Sequence, residues 1–229
     1  MSNYLITLII YVLIIYFLNS FFLKKNYLKS DTGSKHQLFA NNSIPLTGGL
    51  YFLFPVIYIY LQIDQILCLC FISIYLLGLM SDLNFLISPK KRFFLQLLLI
   101  ILFVFYKKLE VLPTRIDFID IFIENTFLSY ALTIFCLMIL INGSNFIDGL
   151  NGLSLGYFSI ILVVLFKTDL FYSLGFFNEQ FIFFISVIFF ILLLNYLNQL
   201  FMGDSGAYAI SFLIGYLLIK IYNLNENLS

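Results

Sequence analysis

Asn142-Gly143-Ser144-Asn145-Phe146-Ile147-Asp148-Gly149-Leu150-Asn151-Gly152-Leu153 is the stretch whose reading decides the rest of the chain. Three Asn, one Asp and three Gly stand here between two almost wholly apolar runs, residues 127–141 and 155–166. A polar island this dense costs free energy in hydrocarbon unless it meets water, a ligand or a metal. If the preceding helix continues through it, Asn142, Asn145 and Asp148, three residues apart, make one inclined face flanked by Ser144 and Gly149. Amides and a carboxylate converging at a helix end suit a nucleotide or phosphate group. The competing reading is a capped, water-facing loop that ends one helix and starts the next.

The surroundings settle the solvent. Apolar residues make up 62% of the chain and charged residues 10%, and the mean hydropathy is +1.03. Soluble domains carry about 25% charged residues, so a water-soluble core is excluded. Open sheet edges cannot be satisfied in lipid, and the runs lack the alternation of a membrane barrel. The chain therefore reads as an all-α polytopic membrane protein, one integral-membrane domain over residues 1–229. Eight apolar runs predict eight spans: 5–23, 47–61, 66–79, 93–106, 127–141, 155–166, 181–196 and 207–222. The first has no basic flank before it and no small-residue cleavage site, and reads as a retained helix. Cys68, Cys70 and Cys136 fall inside apolar runs and read as small hydrophobes.

Lys24, Lys25, Lys29 and Lys35 in the first loop, with Lys90, Lys91 and Arg92 in the third, place those loops in the cytoplasm by the positive-inside rule. Counting spans from there, Asp31, Asp82, Asp148 and Asp204 all fall on the cytoplasmic face, each close to Gly, Ser or Asn. That pattern predicts one site assembled from several loops. In Phe201-Met202-Gly203-Asp204-Ser205-Gly206, Asp204 and Ser205 stand where N-cap residues belong. A carboxylate beside a phosphate site is also how Mg²⁺ is commonly held. In the third loop, Ser88-Pro89 starts a helix whose first turn carries Lys90, Lys91 and Arg92. Cations there oppose the helix dipole, and contact with anionic headgroups or a substrate phosphate would supply the reason. Pro45 and Gly48-Gly49 fit a chain re-entering the membrane with tight backbone packing. His36, the single histidine, has no Ser or Cys partner pattern for a triad.

Four pieces in this order resemble the polyprenyl-phosphate N-acetylhexosamine-1-phosphate transferases: I-P-L-T-G-G-L at 44–50, G-L-M-S-D-L with S-P-K-K-R at 78–92, the island at 142–153, and F-M-G-D-S-G at 201–206. The resemblance covers residues 31–216. It implies transfer of a sugar phosphate from a UDP-N-acetylhexosamine to a polyprenyl phosphate such as undecaprenyl phosphate, with Mg²⁺, at the cytoplasmic face of a bacterial inner membrane. By the same resemblance Asp204 holds Mg²⁺, and Asn142, Asn145 and Asp148 line the nucleotide site. Lys90, Lys91, Arg92 and His36 join the substrate-binding set, and Asp82, Asp148 and Ser81 the catalytic one. Ser81-Asp82 stands where the family usually has Asp-Asp, and Asn151 replaces a frequent Asp. The chain is expected to be short, because family members usually continue into further helices and a His-rich loop. No nucleic-acid partner is expected, and the lipid-facing surface permits a homodimer. The alternatives are an inactive homologue that binds a lipid or partner, and a small transporter.

Overall fold

The computed structural model describes residues 2–25, 27–28, 44–148, 152–168, 170–174 and 178–225. They form helices α1 (Ser2–Lys25), α2 (Gly48–Ile63), α3 (Gln65–Asp82), α4 (Pro89–Lys107), α5 (Asp117–Ile123), α6 (Thr126–Ile147), α7 (Leu153–Lys167), α8 (Asn178–Tyr196) and α9 (Gly203–Leu224), with a 3-10 turn at Leu170–Leu174. Among the described residues, α1, α3, α6, α8 and α9 are long and apolar enough to cross a membrane, and α2 and α7 are shorter apolar helices. Large apolar side chains such as Phe17, Leu69, Leu102 and Ile160 lie on the outside, as lipid contact requires.

The helices outrun the apolar runs that predict them. α3 takes in Ser81 and Asp82, and α6 continues through Asn142 to Ile147. The polar residues in α6 bond back along their own helix: Asn142 Nδ2 donates to the Met138 carbonyl (2.9 Å) and Ser144 Oγ to that of Ile141 (3.0 Å). Such bonds satisfy polar groups without ending the helix. α5 lies where the sequence reading saw only loop. Asp117 and Asp120 occupy its first turn, where the helix dipole favours acids.

α9 is the central element. Of its membrane-crossing window 67% is buried against the rest of the protein, compared with 17% for α1. It packs on α2, α3 and α6. Without a hydrophobic drive between helices in lipid, close backbone approach at small residues does this work. A Cβ on Gly49 would lie 2.5 Å from the Gly206 nitrogen, and one on Gly78 would collide with the Ser205 backbone. The expected tight re-entry at Gly48-Gly49 is present: the amides of Gly48 and Gly49 donate to the carbonyls of Phe201 (2.9 Å) and Met202 (3.2 Å).

Side-chain contacts set the directions. Gly78 meets Ser205 near one end of α3, and Asp64, just before its other end, meets Tyr216, so α3 and α9 are antiparallel. Ser144 reaches Ala207 and Ser211 while Leu137 meets Gly215, so α6 and α9 are antiparallel too. Arg92 pairs with Asp204 and Phe103 with Phe212 and Tyr216, so α4 runs parallel to α9. The ends of α3 and α6 and the starts of α4 and α9 therefore share one face. Two buried amides fasten the segment before α9 to that face. Asn19 donates to Gln199 O (2.9 Å) and accepts from Thr47 (3.0 Å), and Asn195 donates to Leu200 O (3.0 Å) and accepts from the Gly152 amide (2.6 Å).

At the opposite face, Asp64 Oδ1 caps α3 through the Leu67 amide (3.0 Å), and Oδ2 accepts from Lys107 Nζ (2.7 Å) and Tyr216 OH (3.2 Å). Burial pushes this carboxyl up. The bonds from Lys107 and Leu67, the Lys107 charge and the Tyr216 hydroxyl outweigh it and hold the carboxyl below the ordinary value. A depressed carboxylate contributes stability that is present above its unfolded pKa of about 3.9 and lost as pH falls through the folded value. Thermal unfolding in detergent should therefore show no loss from this tie between pH 7 and pH 5, and a loss only below about pH 4. Asp64→Asn should remove that acid-side step, and a variant that keeps it would disprove the assignment.

Candidate active site at the first turn of α9

Gly203 opens α9 at φ +71°, a left-handed conformation that favours glycine. The preceding Met202 makes no side-chain cap. The expectation that Asp204 and Ser205 cap their own helix is corrected here, because the cap comes from another helix. Asp82, the last residue of α3, accepts from the Asp204 amide at Oδ1 (2.8 Å) and from the Ser205 amide at Oδ2 (3.0 Å). A Cβ on Gly203 would stand 2.7 Å from Asp82 Oδ2, so the missing side chain lets the carboxylate in. With the backbone capped by Asp82, the Asp204 side chain turns elsewhere.

It turns to α3 and α4. Asp204 Oδ2 accepts from Ser81 Oγ (2.6 Å) and from Arg92 Nη1 (2.5 Å), and Arg92 Nη1 also donates to Ser81 Oγ. The Arg92 and Asp204 side chains are 21% and 14% exposed, so the pair is screened less than a surface ion pair. Ser81 contributes a hydroxyl that donates to one partner and accepts from the other. Arg92 offsets the charge of Asp204, and the positive end of α9 favours the Asp82 carboxyl that caps it. One turn deeper, the Tyr208 hydroxyl accepts from Asn145 Nδ2 (3.2 Å) and reaches Asp204 Oδ2 at 3.5 Å.

Of the residues named from the sequence, the structure thus brings Ser81, Asp82, Arg92 and Asp204 into direct contact, and joins Asn145 to them through Tyr208. Asp148 is buried at the C-terminal end of α6, 5% exposed. Asn142 does not join them, since its amide is bonded to its own helix. Ser88 caps α4 and Pro89 opens it, as expected, with Lys90 and Lys91 exposed in the first turn. His36, Gly149 and Asn151 lie outside the described residues. Tyr208 and Gln96 escaped the sequence reading. The signal was an offset of four from Asp204 and from Arg92, which places each one helical turn deeper on the same face.

Among the described residues no group of three or more His, Cys, Asp or Glu converges as a metal cage. The donor chemistry nonetheless fits a hard divalent cation. Mg²⁺ is held by one or two carboxylates plus substrate phosphates and water, and Asp204 with Asp82 offers carboxylate oxygens at the start of α9.

A bundle of apolar helices with the Ser81–Arg92–Asp204 cluster where the ends of α3 and α6 meet the starts of α4 and α9 is a membrane protein with a polar site on that face. The chain belongs to glycosyl transferase family 4, whose model matches residues 65–222, from the start of α3 to the last turn of α9. This is a family of polyprenyl-phosphate sugar-1-phosphate transferases. The match leaves out α1 and the Ile44–Leu50 piece, although the latter packs against Phe201 and Met202. No curated protein gives a significant match to the chain.

Proposed function

We propose that this chain transfers an N-acetylhexosamine-1-phosphate from a UDP-sugar to a polyprenyl phosphate, with undecaprenyl phosphate as acceptor, and releases UMP. The observation that carries this reading is the Ser81–Arg92–Asp204 cluster at the first turn of α9, backed by Asp82 and set inside a family 4 fold. In the reaction an oxygen of the lipid phosphate attacks the sugar-bearing phosphorus of the diphosphate. A new P–O bond forms, and the bond from that phosphorus to the bridging oxygen breaks, leaving UMP with the electron pair.

Such a transfer asks for charge neutralisation and alignment more than for covalent help. Arg92, at the start of α4, is a cation able to share the diphosphate charge. The exposed Lys90 and Lys91 beside it suit the lipid phosphate at the membrane surface. Asp204 would hold Mg²⁺, which when bound supplies further neutralisation of the phosphate oxygens. Asp82, with both oxygens on α9 amides, positions Asp204 and needs no role as a base, because a lipid phosphate is largely ionised near neutral pH. Asn145 and Asp148 stand on the nucleotide side. All of α1–α4 and α6–α9 would cross the bilayer, with the site at the cytoplasmic face of a bacterial inner membrane; Lys24, Lys25, Lys90, Lys91 and Arg92 on that face support the orientation.

The test is reconstitution with undecaprenyl phosphate, Mg²⁺ and radiolabelled UDP-N-acetylglucosamine or UDP-N-acetylgalactosamine. Label should pass into lipid with UMP release in equal amount. No transfer from any UDP-N-acetylhexosamine, beside an active family member in the same vesicles, would reject the enzyme reading.

A further inference from the structure

Gln96 is a buried polar group that the mechanism above does not use. It lies on α4 one turn after Arg92, its side chain is wholly buried, and neither its amide nitrogen nor its oxygen has a hydrogen-bond partner among the described residues. A buried donor or acceptor left unmade costs about 1–3 kcal/mol, so a carboxamide with both ends unmade is a poor choice for a purely structural position. Leu or Met would fill the same space without that cost.

The neighbours suggest what the carboxamide is for. α4 and α9 run parallel, so Arg92–Asp204 and Gln96–Tyr208 are successive rungs, each one turn further along both helices. Gln96 lies beside the Tyr208 hydroxyl but outside hydrogen-bonding geometry with it. That hydroxyl is itself weakly placed: it accepts from Asn145 (3.2 Å), while its own proton points to Asp204 Oδ2 across 3.5 Å, near the limit of a hydrogen bond. Asp204 Oδ2 also accepts from Ser81 and Arg92, both at shorter distances than from Tyr208.

We propose that Gln96 is a positioning residue that provides a second acceptor for the Tyr208 hydroxyl. Tyr208 donates to Asp204 while that carboxylate faces Arg92, and to Gln96 Oε1 when Asp204 turns to a cation. The exchange gives the buried carboxamide oxygen a donor when Asp204 has turned. It also removes a donor that would compete for the Asp204 oxygen. Gln96 then favours the cation-ready position of Asp204 without touching a substrate. This inference rests on the reading that Asp204 is the cation-holding carboxylate, and the test separates the two.

The experiment measures Mn²⁺ affinity by electron paramagnetic resonance on the full chain in detergent, with melting temperature recorded for each variant. Asp204→Asn should abolish binding. Gln96→Leu should weaken it about tenfold, Tyr208→Phe by less because it also removes the competing donor, and the double variant should match Tyr208→Phe, as expected for residues acting as one unit. Gln96→Leu should melt no lower than the parent, since it removes an unmade polar group. Should Leu fail to fold, Gln96→Met carries the same expectation with an unbranched chain. Mn²⁺ affinity within twofold of the parent in the Gln96 variants, with Asp204→Asn still abolishing binding, would overturn the Gln96 role alone. Additive losses in the double variant would overturn the exchange. Unaltered binding in Asp204→Asn would overturn the metal reading itself.

Discussion

Asp204→Asn should cut sugar-phosphate transfer by about 10³-fold while the protein stays folded, the size of effect seen when one electrostatic group is removed from a site. The fold is spared because the α9 backbone is capped by Asp82, and the Asp204 amide keeps that bond whatever its side chain. An Asn side chain can still accept from Ser81, and Arg92, 21% exposed, retains access to water. The variant loses the negative charge, and with it the hold on a divalent cation. UMP release in vesicles and the melting temperature should therefore separate sharply, the first falling by orders of magnitude and the second moving by a few degrees. Asp204→Glu should fall between, because it keeps the charge and moves it by one methylene. Transfer within threefold of the parent in the Asn variant would remove Asp204 from the site.

The membrane class, the helix order and the clustering of polar motifs were legible because burial in lipid leaves so few options. Long apolar runs must be helices there, and polar residues must gather where they find partners. The helix ends were not legible at the same accuracy. Asn142 and Ser144 reach back to carbonyls of their own helix, so of the two readings the sequence left open the continuing helix holds as far as Ile147, past the end of the apolar run at 141. α5 was hidden because seven residues of mixed Asp, Ile and Phe carry too little pattern to separate helix from loop. In the site, Asp204 and Arg92 could be named from motif and position. The cap on α9 could not, because Asp82 is 121 and 122 positions before Gly203 and Asp204 and reaches them only through the α3–α9 crossing. Tyr208 and Gln96 sit in apolar windows where a lone Tyr or Gln reads as part of a helix face. Only the pairing of α4 with α9 gives them meaning.

Asp82 is the second residue whose loss should be severe, and the manner of the loss identifies its role. Its two oxygens accept from consecutive α9 amides, and the following Ser205 is 1% exposed. Asp82→Ala removes the cap and so leaves two amides without partners, at about 1–3 kcal/mol each. The two amides together, at about 2–6 kcal/mol, are a large share of the stability of most proteins. The start of α9 carries Asp204, so any shift of that turn also moves Asp204 away from Arg92 and Ser81. Asp82→Ala should therefore lose melting temperature and transfer together. Asp82→Asn is the discriminating variant. One oxygen still accepts from an α9 amide, but the new NH₂ group faces the other amide donor, so stability falls by less and transfer falls with it. The pH–rate profile of what activity remains should match that of the parent. If Asp82 instead removed a proton from the acceptor, Asp82→Asn would cost far more transfer than Asp82→Ala's loss of fold accounts for, and the residual rate would rise steeply with pH as hydroxide replaced the base. Measuring melting, rate and pH profile on these two variants decides between a carboxylate that builds the first turn of α9 and one that reacts.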